Sequence, residues 1–167
     1  RAMPRPQTLI LYAAVAVVAA AIGFAVANRS PTPAGPEQAL VLSQPRPLPE
    51  FSLQDHRGEA FGPGRLAGQW TFLFFGFTHC PDICPTTLQT LAAARSALGD
   101  LPADARPDVV MVSVDPERDT PEQLAAYVPY FDADFLGVTG TDDALGPLTG
   151  ALGVAYGRTP TEGGEGY

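Results

Sequence analysis

Lysine is absent from this chain of 167 residues, and all ten basic side chains are arginine. Schiff-base chemistry and a P-loop lysine are therefore excluded. Two cysteines are too few for a multi-disulfide scaffold or a four-thiolate zinc site, and two histidines too few for a His-built metal cage. Charged residues make up only 17%, and eighteen acids against ten bases leave a net charge of −8. The basic face that nucleic acid requires is missing, so no nucleic-acid partner is expected. With 46% apolar residues, the chain is no disordered polyelectrolyte either.

The charge is unevenly spread. Residues 1–36 hold Arg1, Arg5 and Arg29 and no acid, whereas residues 37–167 carry all eighteen acids. Thr8 to Ala27, TLILYAAVAVVAAAIGFAVA, has no charge at all. At about 1.5 Å per residue this run covers about 30 Å, the hydrocarbon thickness of a bilayer. The expected layout is a short cytoplasmic terminus over 1–7 and a single transmembrane helix over 8–27 in the inner (cytoplasmic) membrane. Arginines before the run place the remainder on the periplasmic or extracytoplasmic side. A cleaved signal peptide is the competing reading, since Ala25-Val26-Ala27 has the form of a cleavage site. Either way the acidic part is exported to an oxidising compartment.

Residues 28–47 are proline-rich and read as a tether, leaving 48–167 as the folded part. Phe51-Ser52-Leu53 and Phe61 flank a turn at His56-Arg57-Gly58-Glu59, a small hairpin pattern. Trp70 to Phe77, WTFLFFGF, reads as a strand buried on both faces, which would put Phe72, Phe74, Phe75 and Phe77 in the core. Pro85 opens a helix with its apolar stripe at Leu88, Leu91, Ala92 and Leu98. Asp108 to Val114 is a second buried strand, and Thr120-Pro121-Glu122-Gln123 starts another helix. Phe135 to Val138 predicts a short strand, and Thr141 caps a last helix reaching Leu152. Strands alternating with helices imply an α/β fold with parallel neighbours.

The segment Phe75-Gly76-Phe77-Thr78-His79-Cys80-Pro81-Asp82-Ile83-Cys84-Pro85 lies where a strand hands over to a helix, the edge at which open α/β sheets build sites. Cys84 falls by the helix start, where free N–H groups are expected to lower its thiol pKa. Cys80, four residues earlier, can share that side. Two close sulfurs form a reversible disulfide, bind a soft metal such as Cu(I), or staple the loop. All three uses are open on these residues alone.

The strings GFTHCPDICPTTL and VSVDPERDTP, with the preceding apolar run, resemble the Sco/SenC family of membrane-tethered copper proteins. The resemblance covers about Leu48 to Tyr167. It implies a thioredoxin-like fold, copper bound by Cys80 and Cys84, and a disulfide cycle between them. The implied role is a copper chaperone for the binuclear copper site of cytochrome c oxidase, with the oxidase's copper-binding subunit or another copper carrier as partner. The alternative is a thiol–disulfide oxidoreductase acting on the partner's copper-ligand cysteines. The family's third ligand, a histidine after a Gly-rich stretch, matches neither His56 nor His79. Thr159 to Tyr167, TPTEGGEGY, resembles the approach to it, so the fold is expected to be incomplete at its C-terminal end, with that histidine beyond Tyr167. Cu(I) is the expected ion, and Cu(II) only with the histidine present.

Around the cysteines, Asp82 is a candidate for tuning sulfur charge or for shaping the turn after Pro81, and Asp115 for lining the site or capping the turn into Pro116. His79 is read as a packing residue with proton shuttling as the alternative. Arg118, Asp119 and Glu122 read as solvent-facing residues at a helix start.

Overall fold

The computed structural model describes residues 6–27 and 41–157, so most of the tether and the Thr159–Tyr167 segment lie outside the described residues. The chain divides into two compact units, Arg1–Pro45 and Arg46–Tyr167.

The first unit contains α1, Pro6–Ala27, a helix of 22 residues. Within it, Tyr12, Val15, Val17, Val18, Ile22 and Phe24 are all exposed. The helix is apolar all round, so it presents no polar face to water. Among the described residues no helix is long and apolar enough to cross a membrane; the side chains described in α1 are those of Tyr12 and residues 14–24.

The second unit is a mixed α/β sheet flanked by helices. Its strands are β1 (Leu53–Asp55), β2 (Ala60–Phe61), β3 (Thr71–Gly76), β4 (Asp108–Ser113) and β5 (Leu136–Thr139), in the order β2-β1-β5-β4-β3. β3, β4 and β5 run parallel, with Phe72 opposite Val109 and Val112 opposite Val138. The hairpin β1–β2 joins antiparallel on β5. Its turn is closed by the buried Asp55, whose Oδ1 accepts from the N–H groups of Arg57 and Glu59, each at 2.9 Å.

Helix α2 (Ile83–Ala97) connects β3 to β4, α3 (Pro121–Tyr127) connects β4 to β5, and α4 (Asp142–Leu152) follows β5. The Thr120 and Thr141 side chains cap α3 and α4, accepting from Gln123 N and Ala144 N. Gly153 ends α4 in the left-handed region at φ 71°, a conformation that glycine adopts without Cβ strain. Alternation along β4 divides the core. Val109 and Met111 pack with Leu88 of α2 and with Val128 and Phe135, whereas Val110 and Val112 pack with Leu145 and Leu148 of α4. Full burial of one such side chain contributes about 1.5–3 kcal/mol.

β4 is buried on both faces, as its uniform apolar run predicts. β3 is not. It is the edge strand among the described residues; Phe72 is 40% exposed, and Phe74, Phe75 and Phe77 are half-buried. An edge strand lacks a neighbour whose side chains would cover it, so the same composition yields less burial. The expected core placement of Phe72 is corrected accordingly. Helix α2 also begins earlier than expected, at Ile83, placing Pro85 inside its first turn, where the missing N–H costs nothing.

Candidate metal centre

Cys80 and Cys84 meet at the carboxyl ends of β3 and β4. Cys80 lies in the loop after β3 and Cys84 in the first turn of α2; both are free thiols and buried. The backbone N–H of Cys84 points at Cys80 Sγ, 3.4 Å away. The Asp82 carboxylate makes no capping bond to α2. Cys80 sulfur therefore takes the place of a capping oxygen, satisfying an otherwise orphaned donor.

This geometry reverses the expectation for the two thiols. Burial pushes the Cys80 thiol up, but hydrogen bonds from the Cys84 thiol and from the N–H groups of Cys84, Asp82 and Ile83 outweigh it and leave the pKa lowered. Cys84 is pushed up to about 11, by burial first, then by its bond to Cys80 and the charges of Cys80 and Asp119. The helix start does stabilise a thiolate, but on the loop sulfur. Cys84 is itself part of the helix and points inward, away from the free N–H groups.

Gly76 ends β3 directly behind Cys84. A Cβ at this position would lie 3.1 Å from Cys84 Sγ and 2.8 Å from the Phe74 ring. The strand end must be bare for the sulfur to sit there. An isolated glycine closing an aromatic strand is the sequence signal for such close approach.

The largest correction concerns Asp119. Expected to face solvent, it is completely buried. Its Oδ2 accepts from Thr78 N at 2.9 Å and from Ser113 Oγ at 2.6 Å, and its Oδ1 accepts from Thr78 Oγ1 at 2.6 Å. One carboxylate thus ties the cysteine loop to the end of β4. Ser113 and Asp119 stand six residues apart within VSVDPERDTP, but Thr78 is forty-one positions from Asp119, and no local pattern links it to them.

Asp115 is buried and paired to Arg118, with Arg118 Nε at 2.5 Å from its Oδ2; Arg118 is half-buried rather than solvent-facing. Glu122 is exposed as expected. Asp82 is exposed, and its Oδ1 accepts from Thr86 Oγ1 at 3.5 Å; its backbone N–H, rather than its carboxylate, serves Cys80. His79 is half-exposed, with Nδ1 3.1 Å from Thr78 Oγ1 and 3.8 Å from Asp119.

His56 lies at the other end of the sheet. Its Nδ1 accepts from Gly137 N at 3.0 Å, which ties the β1 turn to β5, and burial followed by the Arg57 charge lowers its pKa. Among the described residues no group of three or more His, Cys, Asp or Glu is placed to hold a metal. Two convergent sulfurs without a third donor do not suit tetrahedral zinc, but they do suit a soft ion of low coordination number.

The fold and site together define an α/β protein with an asymmetric dithiol at the carboxyl edge of its sheet. The SCO1/SenC family model matches residues 42–167, and the chain belongs to that family. A protein from Stutzerimonas stutzeri is 44% identical over 127 residues, 74% of this chain and 61% of its own length. The bovine mitochondrial SCO2 homolog is 38% identical over 118 residues, covering 71% of this chain and 44% of its own length. This chain therefore spans less than two thirds of either relative. Among solved structures, Arabidopsis thaliana ScoI with copper bound superposes with a TM-score of 0.63 at 39% identity, covering 68% of this chain and 70% of that one. The fold is accordingly the thioredoxin-like Sco fold.

Proposed function

We propose that this protein is a membrane-tethered copper carrier that takes Cu(I) through Cys80 and Cys84 and passes it to the copper-binding subunit of cytochrome c oxidase. The observation that carries this reading is the pair of buried sulfurs, one of them held by the N–H groups of a helix start. Such an arrangement favours thiolate without a base, and soft sulfur pairs select Cu(I). Cu(II) would need nitrogen or oxygen donors in addition. Support comes from the copper-bound Arabidopsis relative and from family membership. The apolar α1, about 33 Å long at 1.5 Å per residue, is read as the anchor, with Arg1 and Arg5 on the cytoplasmic side and the folded unit outside it.

The deciding experiment is Cu(I) competition against a chelator, on the full chain in detergent micelles. One ion bound per chain, lost on Cys80→Ser and on Cys84→Ser, is the expected result. Equal copper retention by the double serine variant would sink the reading.

The opposed pKa shifts of the two thiols favour a second reading, dithiol reduction of the partner. Cys80 thiolate would attack a partner disulfide, and Cys84 would then resolve the mixed disulfide, leaving a Cys80–Cys84 bond and a reduced partner. A mixed disulfide accumulating in Cys84→Ser would favour it. Copper transfer with both thiols kept reduced favours the first.

A further inference from the structure

Neither reading uses His79. It directly precedes Cys80 and its side chain is 49% exposed, whereas Cys80 and Cys84 are only 9% and 4% exposed. The groups behind it fix which ring nitrogen carries the proton. Asp119 is completely buried, and its Oδ1 accepts from the Thr78 hydroxyl at 2.6 Å. That bond uses the one proton the hydroxyl has. His79 Nδ1, 3.1 Å from the same hydroxyl oxygen, must then be the donor. The neutral ring therefore carries its proton on Nδ1 and keeps a lone pair on Nε2. Metal-binding histidines are held in this way, one nitrogen donating back toward a carboxylate while the other faces the ion. Here the carboxylate acts through one hydroxyl. His56 is arranged the opposite way: its Nδ1 accepts from Gly137 N, so its lone pair is spent inside the fold. Among the described residues no three such donors are placed to hold one ion, so His79 does not complete a site with both sulfurs.

We infer that His79 is an entry ligand, whose Nε2 receives Cu(I) from a donor at the surface and passes it to the Cys80 sulfur. The inference rests on the copper reading and deepens it, because two buried sulfurs need an exposed group to take the ion first. The step is ligand exchange. A bond from the ion to its donor breaks as the Nε2 lone pair binds, and the bond to nitrogen breaks as the Cys80 thiolate binds. The ion stays Cu(I), no electron moves, and the imidazole ends as it began. Soft sulfur holds Cu(I) better than imidazole nitrogen does, so the exchange runs inward.

The test is His79→Asn in the full chain, reduced and in detergent micelles. The amide N–H of asparagine can take over the bond to Thr78, but it offers no second nitrogen. With a Cu(I)–chelator complex as donor, stopped-flow loading is expected to be about tenfold slower or more, with the final Cu(I) affinity unchanged. Added imidazole should restore the rate, which it could not do for a merely disturbed loop. Nitrogen NMR of the copper-free parent should find the His79 proton on Nδ1 and the His56 proton on Nε2. Loading at the parent's rate, a slow variant that imidazole fails to restore, or a His79 proton on Nε2 overturns the inference and leaves the copper reading standing. Affinity lost in step with rate would make His79 a resident ligand and overturns it equally. A parent that takes up no Cu(I) overturns both.

Discussion

Replacing Asp119 separates the support of the cysteine loop from its chemistry. In Asp119→Ala the Ser113 hydroxyl, fully buried, and the half-buried Thr78 N–H lose their acceptor. The Thr78 hydroxyl can rotate toward His79 Nδ1, 3.1 Å away, and so keeps a partner. Two stranded donors at about 1–3 kcal/mol each give about 2–6 kcal/mol of lost stability. Relief of the carboxylate's own desolvation works against this and favours the lower half of the range. Asp119→Asn keeps one oxygen that can still serve Thr78 N and Ser113, so about 1–2 kcal/mol is expected. Urea unfolding of the full chain, followed by near-ultraviolet dichroism, measures both variants. An alanine variant within about 0.5 kcal/mol of the parent would show that the carboxylate ties nothing down. The asparagine variant carries a second consequence: the Asp119 charge contributes to raising Cys84, so its removal should move the alkylation profile of Cys84 to lower pH. A profile left in place would separate the carboxylate from the sulfur.

The two thiols should differ in reactivity. With Cys80 lowered from its ordinary value of 9.0 and Cys84 raised to about 11, the thiolate fraction of Cys80 at pH 8 is at least about a hundredfold larger. The lower intrinsic nucleophilicity of a low-pKa thiolate returns about tenfold of that. Cys80 should therefore be alkylated about tenfold faster or more, as read by fragment-ion mass spectrometry of the reduced parent after a short alkylation pulse; equal rates would refute the asymmetry. Gly76→Ala should destabilise the fold by about 1–3 kcal/mol and slow disulfide formation, because its Cβ meets the Phe74 ring and Cys84 Sγ. Unchanged melting and oxidation would show that the strand end has room to spare.

Much of this architecture is legible in the residues because it is encoded locally. Thr120 and Thr141 cap their helices as the hydroxyl-then-acid pattern predicts, and the uniform apolar run of β4 reports its burial on two faces. The pair of cysteines at a strand-to-helix junction is visible in the same way. What fails is information held by sheet order. β3 and β4 are both apolar runs, yet among the described residues one lies inside the sheet and the other at its edge, and nothing in TFLFFG distinguishes the two. Asp119 fails for a related reason. An acid just ahead of a helix cap is normally solvated, and only the return of the chain brings Thr78 to it across forty-one positions. The thiol order is missed by two residues of helix phase, since starting α2 at Ile83 rather than Pro85 places Cys84 inside the helix, where it is buried.

The bare end of β3 has mechanical weight. Cys84 sulfur is buried beside the Gly76 backbone and carried on a helix, whereas Cys80 sits on a loop secured through Thr78 on one side and the helix entrance on the other. Any change in sulfur-to-sulfur distance, whether a cystine closing or an ion being gripped and let go, must then be travelled by the Cys80 side. A partner reaching the site would do its work by pulling on that short stretch of loop, with the rest of the sheet acting as a fixed abutment.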